Sequence, residues 1–192
     1  VKSELGAQLD SLADMVSFGV LPGAMFVQLI SMSNMSGGGS YEVNPIAYLG
    51  FAFSLFACLR LAKFNLDTRQ TDSFIGLATP AATIFVLGIY LNFFDQDFTI
   101  VPTFAFKIIY QTLSVFVMIA VLCYLMISEI PMFSLKGNFT KWKGNEIKIV
   151  FLTLSVIVLF TLQEIGLSVV IILYIIASIV NAYLQKSRNL AN

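Results

Sequence analysis

Histidine is absent from this 192-residue chain and charge is scarce: charged residues make up 11%, with 11 Lys and Arg against 11 Asp and Glu. Without histidine there is no imidazole to move protons and none to ligate a metal. The two cysteines, Cys58 and Cys123, each lie inside an apolar run, which suits small core residues rather than a disulfide or a thiol nucleophile. Polar sequence long enough for a soluble domain is also missing. What remains is apolar, with 58% hydrophobic residues, 18 Phe and a mean hydropathy of +0.87. That is the composition of an integral membrane protein. At roughly 20 residues per span, the chain has room for about six transmembrane helices. It opens on Val1-Lys2-Ser3-Glu4, with neither an initiator Met nor a signal-peptide pattern, so a fragment of a longer protein, lacking its N-terminal part, is expected.

The apolar segments divide as follows. Residues 5–35 form a first span, long enough to protrude on one side, with a kink expected near Pro22. Ser36-Gly37-Gly38-Gly39-Ser40 breaks it, and Asn44-Pro45 restarts a helix where proline is best tolerated. A second span covers residues 45–64. A third is expected from about Phe74, through Gly76, Ala78, Pro80, Ala81 and Ala82, to Phe94, its small residues admitting close helix contacts. A fourth runs over 103–127. Two more, over 147–162 and 167–184, are joined by a tight Gln163-Glu164-Ile165-Gly166 turn. The expected fold is an all-α, polytopic membrane helix bundle of six spans, forming one domain over residues 1–192.

Alternate connections carry the positive charge: Arg60, Lys63 and Arg69, then Lys136, Lys141 and Lys143, then Lys186 and Arg188. Positive charge is retained in the cytoplasm, so these connections are cytoplasmic. Lys107 is the exception. Strict alternation of six spans then puts the start of the first helix on the cytoplasmic side as well.

At that start lie Gly6, Asp10 and Asp14, at i, i+4 and i+8, so that on a helix they share one face. The plain reading is two solvated acids at the mouth of a helix, favoured by its dipole. The functional reading is that two like charges one turn apart, entering a low-dielectric region, are relieved by a cation between them. Oxygen ligands without His or Cys suit Mg²⁺ or Mn²⁺, with Ca²⁺ as another occupant. Two carboxylates do not complete such a site, so further ligands must come from a substrate's phosphates or from residues outside the chain.

Gly6-x-x-x-Asp10-x-x-x-Asp14 resembles the second half of the signature of the CDP-alcohol phosphotransferases, DGxxAR, eight residues, then GxxxDxxxD. The first half would fall before Val1. The neighbouring runs Ser11-Leu12-Ala13-Asp14-Met15-Val16-Ser17-Phe18-Gly19-Val20-Leu21-Pro22, Leu59-Arg60-Leu61-Ala62-Lys63-Phe64-Asn65 and Phe74-Ile75-Gly76-Leu77 before Pro80-Ala81-Ala82 are similar to the phosphatidylserine synthase branch of that family. The resemblance covers roughly the first 85 residues. It implies a family core with two more helices upstream, a homodimer, a bacterial-type inner or plasma membrane with the site facing the cytoplasm, and transfer of a phosphatidyl group from CDP-diacylglycerol to L-serine, releasing CMP.

Under that resemblance Asp10 is a metal ligand, Asp14 is the general base and also a ligand, and Gly6 gives the nucleotide close access to the backbone. Serine selection needs a counter-charge for its carboxylate. Arg60 is preferred because its fork suits bidentate pairing and it sits a turn inside the helix end, with Lys63 and Arg69 as further cations and Asn65 as an added hydrogen bond. Two alternatives stay open: another acceptor on the same scaffold, such as glycerol phosphate or an inositol phosphate, and an ion-coupled transporter in which the two acids bind the coupling ion.

Overall fold

The computed structural model describes residues 3–33, 45–67, 73–95, 101–133 and 146–191. The Gly-rich segment at 36–40, Arg69 and the basic segment at 136–145 lie outside the described residues.

Helix α1 (Glu4–Met15) opens on Ser3, whose hydroxyl accepts from the Gly6 N–H at 3.0 Å. It passes without a break into a π-helical turn, Val16–Val20, and then into α2 (Leu21–Ser33). The irregularity expected near Pro22 is therefore a widened turn just ahead of it. Pro22 has no N–H to offer the preceding turn, and side chains of neighbouring helices take up the carbonyls there. Ser54 donates to Gly19 O at 2.8 Å and Thr83 to Phe18 O at 3.2 Å. A 3₁₀ segment, Pro45–Phe51, leads into α3 (Ala52–Leu66).

The third apolar segment differs from expectation. Ser73–Ile75 is a short strand, β1, paired antiparallel with β2 (Pro131–Phe133), and helix α4 begins only at Thr79, running to Phe94. The apolar run Phe74-Ile75 continues the hydropathy of the helix but not its backbone. Gly76 has φ +75° and is ringed by the carbonyls of Leu125, Met126 and Ser128, an approach that a Cβ would obstruct. This ribbon is the one departure from an all-α architecture among the described residues.

The fourth segment is also interrupted. α5 (Thr103–Ile109) and α6 (Thr112–Ile127) meet at 60°. At the bend the buried Tyr110 hydroxyl lies 2.8 Å from Ile89 O and 2.9 Å from Asn92 Oδ1, tying the corner to α4. The last helical stretch, α7 (Glu146–Ala191), breaks at Gln163, where φ is 51° and ψ −125°. Beyond that break it returns on itself. The rings of Phe151 and Tyr174 approach to 5.9 Å, and Ile147, Val150 and Leu154 face Leu173, Ile176 and Val180 across one groove. The turn expected at residues 163–166 is thus present as a helical hairpin.

Among the described residues three stretches are long and apolar enough to cross a membrane, Leu5–Ser33, Pro45–Leu66 and Ile147–Leu184, and a fourth if α5 and α6 count as one bent span. α4 is apolar but shorter, at 16 residues. The core joins Phe26, Leu29 and Ile30 of α2, Phe53 and Ala57 of α3, Val86 of α4 and Val115, Ile119 and Met126 of α6. Cys123 belongs to it, whereas Cys58 is exposed on the outside of α3.

Candidate active site

One end of the bundle collects the second half of α1, the last turns of α3, the start of α4 and the end of α6. Their side chains tie them together. Asn65 near the end of α3 donates from Nδ2 to Ser11 Oγ of α1 at 3.1 Å, and Lys63 donates from Nζ to Ile127 O, the last residue of α6, at 3.3 Å. The approach to α4 is pinned by Gly76 N–H to Ile130 O and Leu77 N–H to Leu125 O, both 2.9 Å.

Between these ends lies a cavity of about 210 Å³, lined by Asp14, Arg60, Leu61, Phe64, Ala78, Thr79 and Pro80. The structure thus brings Asp14 and Arg60, 46 positions apart by their numbers, to one small space. Arg60 is 4% exposed, and its Nε has no hydrogen-bond partner. Its guanidinium carbon stands 5.4 Å from the centroid of the Phe64 ring, an orienting contact for a planar cation. Asp67, just past the end of α3, acts on it electrostatically. A buried guanidinium with a free N–H beside a cavity is costly unless an anion completes it.

The other candidates are placed differently. Asp10 is one turn back along α1 and exposed, while Asp14 is half-buried at the cavity wall. Gly6 is exposed in the first turn of α1. Lys63 and Asn65 make the interhelix bonds above and do not line the cavity. The first turn of α4 was missed from sequence. Ala78, Thr79 and Pro80 carry no charge, Ala78 and Pro80 read as helix-contact residues, and the helix start was expected at Phe74, so nothing marked them as wall residues.

As metal donors, Asp10 and Asp14 supply hard oxygens one turn apart on one helix, the chemistry a Mg²⁺- or Mn²⁺-type ion takes. Among the described residues no group of three or more His, Cys, Asp and Glu stands together. The pair fits part of such a site.

The chain is similar to CDP-diacylglycerol–serine O-phosphatidyltransferases of distant organisms. With that of Helicobacter pylori (strain J99) it shares 36% identity over 88 residues, 44% of this chain and 33% of the relative. With that of Methanocaldococcus jannaschii the figures are 34% over 86 residues, 45% and 36%. With that of Bacillus subtilis they are 35% over 81 residues, 42% and 41%. The match therefore spans a third to two fifths of the length of these relatives. No family model matches the chain, and no solved structure matches it significantly. The resemblance read from the Gly6–Asp14 motif and its company is borne out by these relatives.

Proposed function

We propose that this chain, a relative of the phosphatidylserine synthases, carries the acceptor side of a site that transfers a phosphatidyl group from CDP-diacylglycerol to L-serine. The observation that carries the reading is the shared cavity: the last Asp of the motif and a buried arginine with an unmet N–H face the same space. Asp14 takes the proton of the serine hydroxyl as that oxygen attacks the lipid-side phosphorus. A P–O bond forms to serine, the bond from that phosphorus to the bridging oxygen breaks, and CMP leaves with the bond's electrons. Displacement at phosphorus needs positioning and charge neutralisation more than a protein nucleophile, which agrees with the lack of any Cys or His at the cavity.

Asp10 and Asp14 would hold a divalent cation, whose chemistry is to neutralise the pyrophosphate. The substrate's phosphates and residues beyond the described ones would complete its ligands. Arg60 pairs with the serine carboxylate. Gly6, exposed in the first turn of α1, would leave backbone accessible to the nucleotide. Asn65 and Lys63 serve by holding α3 against α1 and α6, which fixes where Arg60 stands.

Six membrane passes belong to the same reading. They are supported by the hairpin in α7, since 38 residues of helix would be about 57 Å long, nearly twice the hydrocarbon core. The alternation of Lys and Arg supports a cytoplasmic site, where a water-soluble nucleotide and serine arrive. A homodimer rests on the family resemblance alone.

The test gives membranes bearing the full-length protein CDP-diacylglycerol, Mg²⁺ or Mn²⁺, and one acceptor at a time, and measures CMP. We expect release with serine and its loss on chelation. Release with glycerol phosphate but not serine would reassign the acceptor. No release with any acceptor would favour ion-coupled transport.

A further inference from the structure

We propose that the uncapped first turn of α4 is the second half of the acceptor-carboxylate pocket, opposite Arg60, and that it makes the site select an amino acid. This rests on the phosphatidylserine synthase reading. α4 is 16 residues long, its N-cap is Ala78, and no side chain caps it. Pro80, in the first turn, has no N–H, so the N–H groups of Thr79 and Ala81 are the donors left at that end. Ala78, Thr79 and Pro80 line the same cavity as Arg60. The partial positive charge of the helix end and the buried guanidinium therefore converge on one space.

The independent sign of a ligand is Arg60 itself, which lines that cavity, is 4% exposed and has an Nε without a hydrogen-bond partner. Position is held on both sides. Stacking on Phe64 orients the guanidinium, and the bonds of Gly76 and Leu77 to Ile130 and Leu125 seat the start of α4. A carboxylate placed between them receives a guanidinium edge on one side and backbone N–H groups on the other, which is the donor arrangement its oxygens accept.

Net charge sets the class of anion. Asp14 lines the cavity and the charge of Asp67 acts on Arg60. With Asp14 committed to the cation it would share with Asp10, one guanidinium and one helix end, offset by Asp67, suit the single carboxylate of a zwitterion, not the dianion of a phosphorylated acceptor.

Ala78→Asp in the full-length protein tests this. Aspartate is a strong N-cap, so the variant stabilises the helix while its own carboxylate occupies the donors. We expect the serine KM to rise at least ten-fold, the CDP-diacylglycerol KM to stay within two-fold, and thermal stability in detergent not to fall. Ethanolamine, which lacks the carboxylate, gains relative to serine in both Ala78→Asp and Arg60→Ala. If wild type uses serine and Ala78→Asp leaves the serine KM unchanged, or raises both KM values alike, the proposal is overturned. A wild-type protein without serine-dependent CMP release would overturn the underlying reading instead.

Discussion

Asp10 and Asp14 are one helical turn apart yet meet different surroundings, the first in solvent and the second at the wall of the cavity. Only Asp14 is placed to touch an acceptor bound against Arg60. Asp14→Asn keeps the shape and removes the proposed base, so we expect turnover to fall about 10²- to 10⁴-fold, the usual worth of a positioned proton acceptor, with detergent stability unchanged. Asp10→Asn should instead raise the Mg²⁺ or Mn²⁺ concentration needed for half-maximal rate, measured by metal titration. Arg60→Lys keeps the charge but loses the fork; the serine KM should rise and that for CDP-diacylglycerol should not. These three residues were legible in the sequence because charge is so scarce there. Ala78 and Thr79 were not, because their contribution is backbone N–H, which every residue except proline has. In our proposal it becomes a site because α4 begins beside the buried Arg60.

Helix starts and breaks therefore carry as much of the site as side chains do. The widened turn at Val16–Val20 was signalled by Pro22, and its carbonyls are met by Ser54 and Thr83. Thr83→Val should cost about 0.6 to 1.7 kcal/mol, the range for a hydrogen bond between membrane helices, read as a lower midpoint of thermal inactivation. The strand at Ser73–Ile75 was not legible, since its partner, Pro131–Phe133, is distant in sequence and a short apolar run does not distinguish strand from helix. The bend at Tyr110 was hidden for the same reason, as its hydrogen-bond partners lie in α4. Close contact between α4 and α7 centres on Gly88, where a Cβ would meet Ser168 Oγ, the Ser168 N at 2.8 Å and Glu164 O at 2.9 Å. Gly88→Ala should push the two helices apart and cost about 1 to 3 kcal/mol, again seen in thermal inactivation. Because α4 begins at the cavity, the serine KM should rise with it.

Across the whole molecule, the membrane class followed from composition, while the break at Gln163 that folds α7 into a hairpin needed its coordinates. A single helix over Ile147–Leu184 would leave Gln163 in mid-membrane, whereas a hairpin brings it to a surface. With Cys58 and Cys123 replaced, Gln163→Cys should react with a membrane-impermeant thiol reagent added outside intact cells. Ser3→Cys should react only after permeabilisation. Labelling of both from one side would contradict the six-pass arrangement. In the proposed six-pass arrangement the start of α1 and the neighbouring ends of α3, α4 and α6 would share the cytoplasmic face, where a lipid-borne pyrophosphate and a soluble amino acid could meet. The most direct measurement is the transfer of radiolabelled serine into chloroform-soluble lipid by membranes carrying the full-length protein, with and without Asp14→Asn. Labelled phosphatidylserine should form only with CDP-diacylglycerol and disappear in the variant; lipid labelling that survives Asp14→Asn, or none from the wild type, would contradict the proposed transfer.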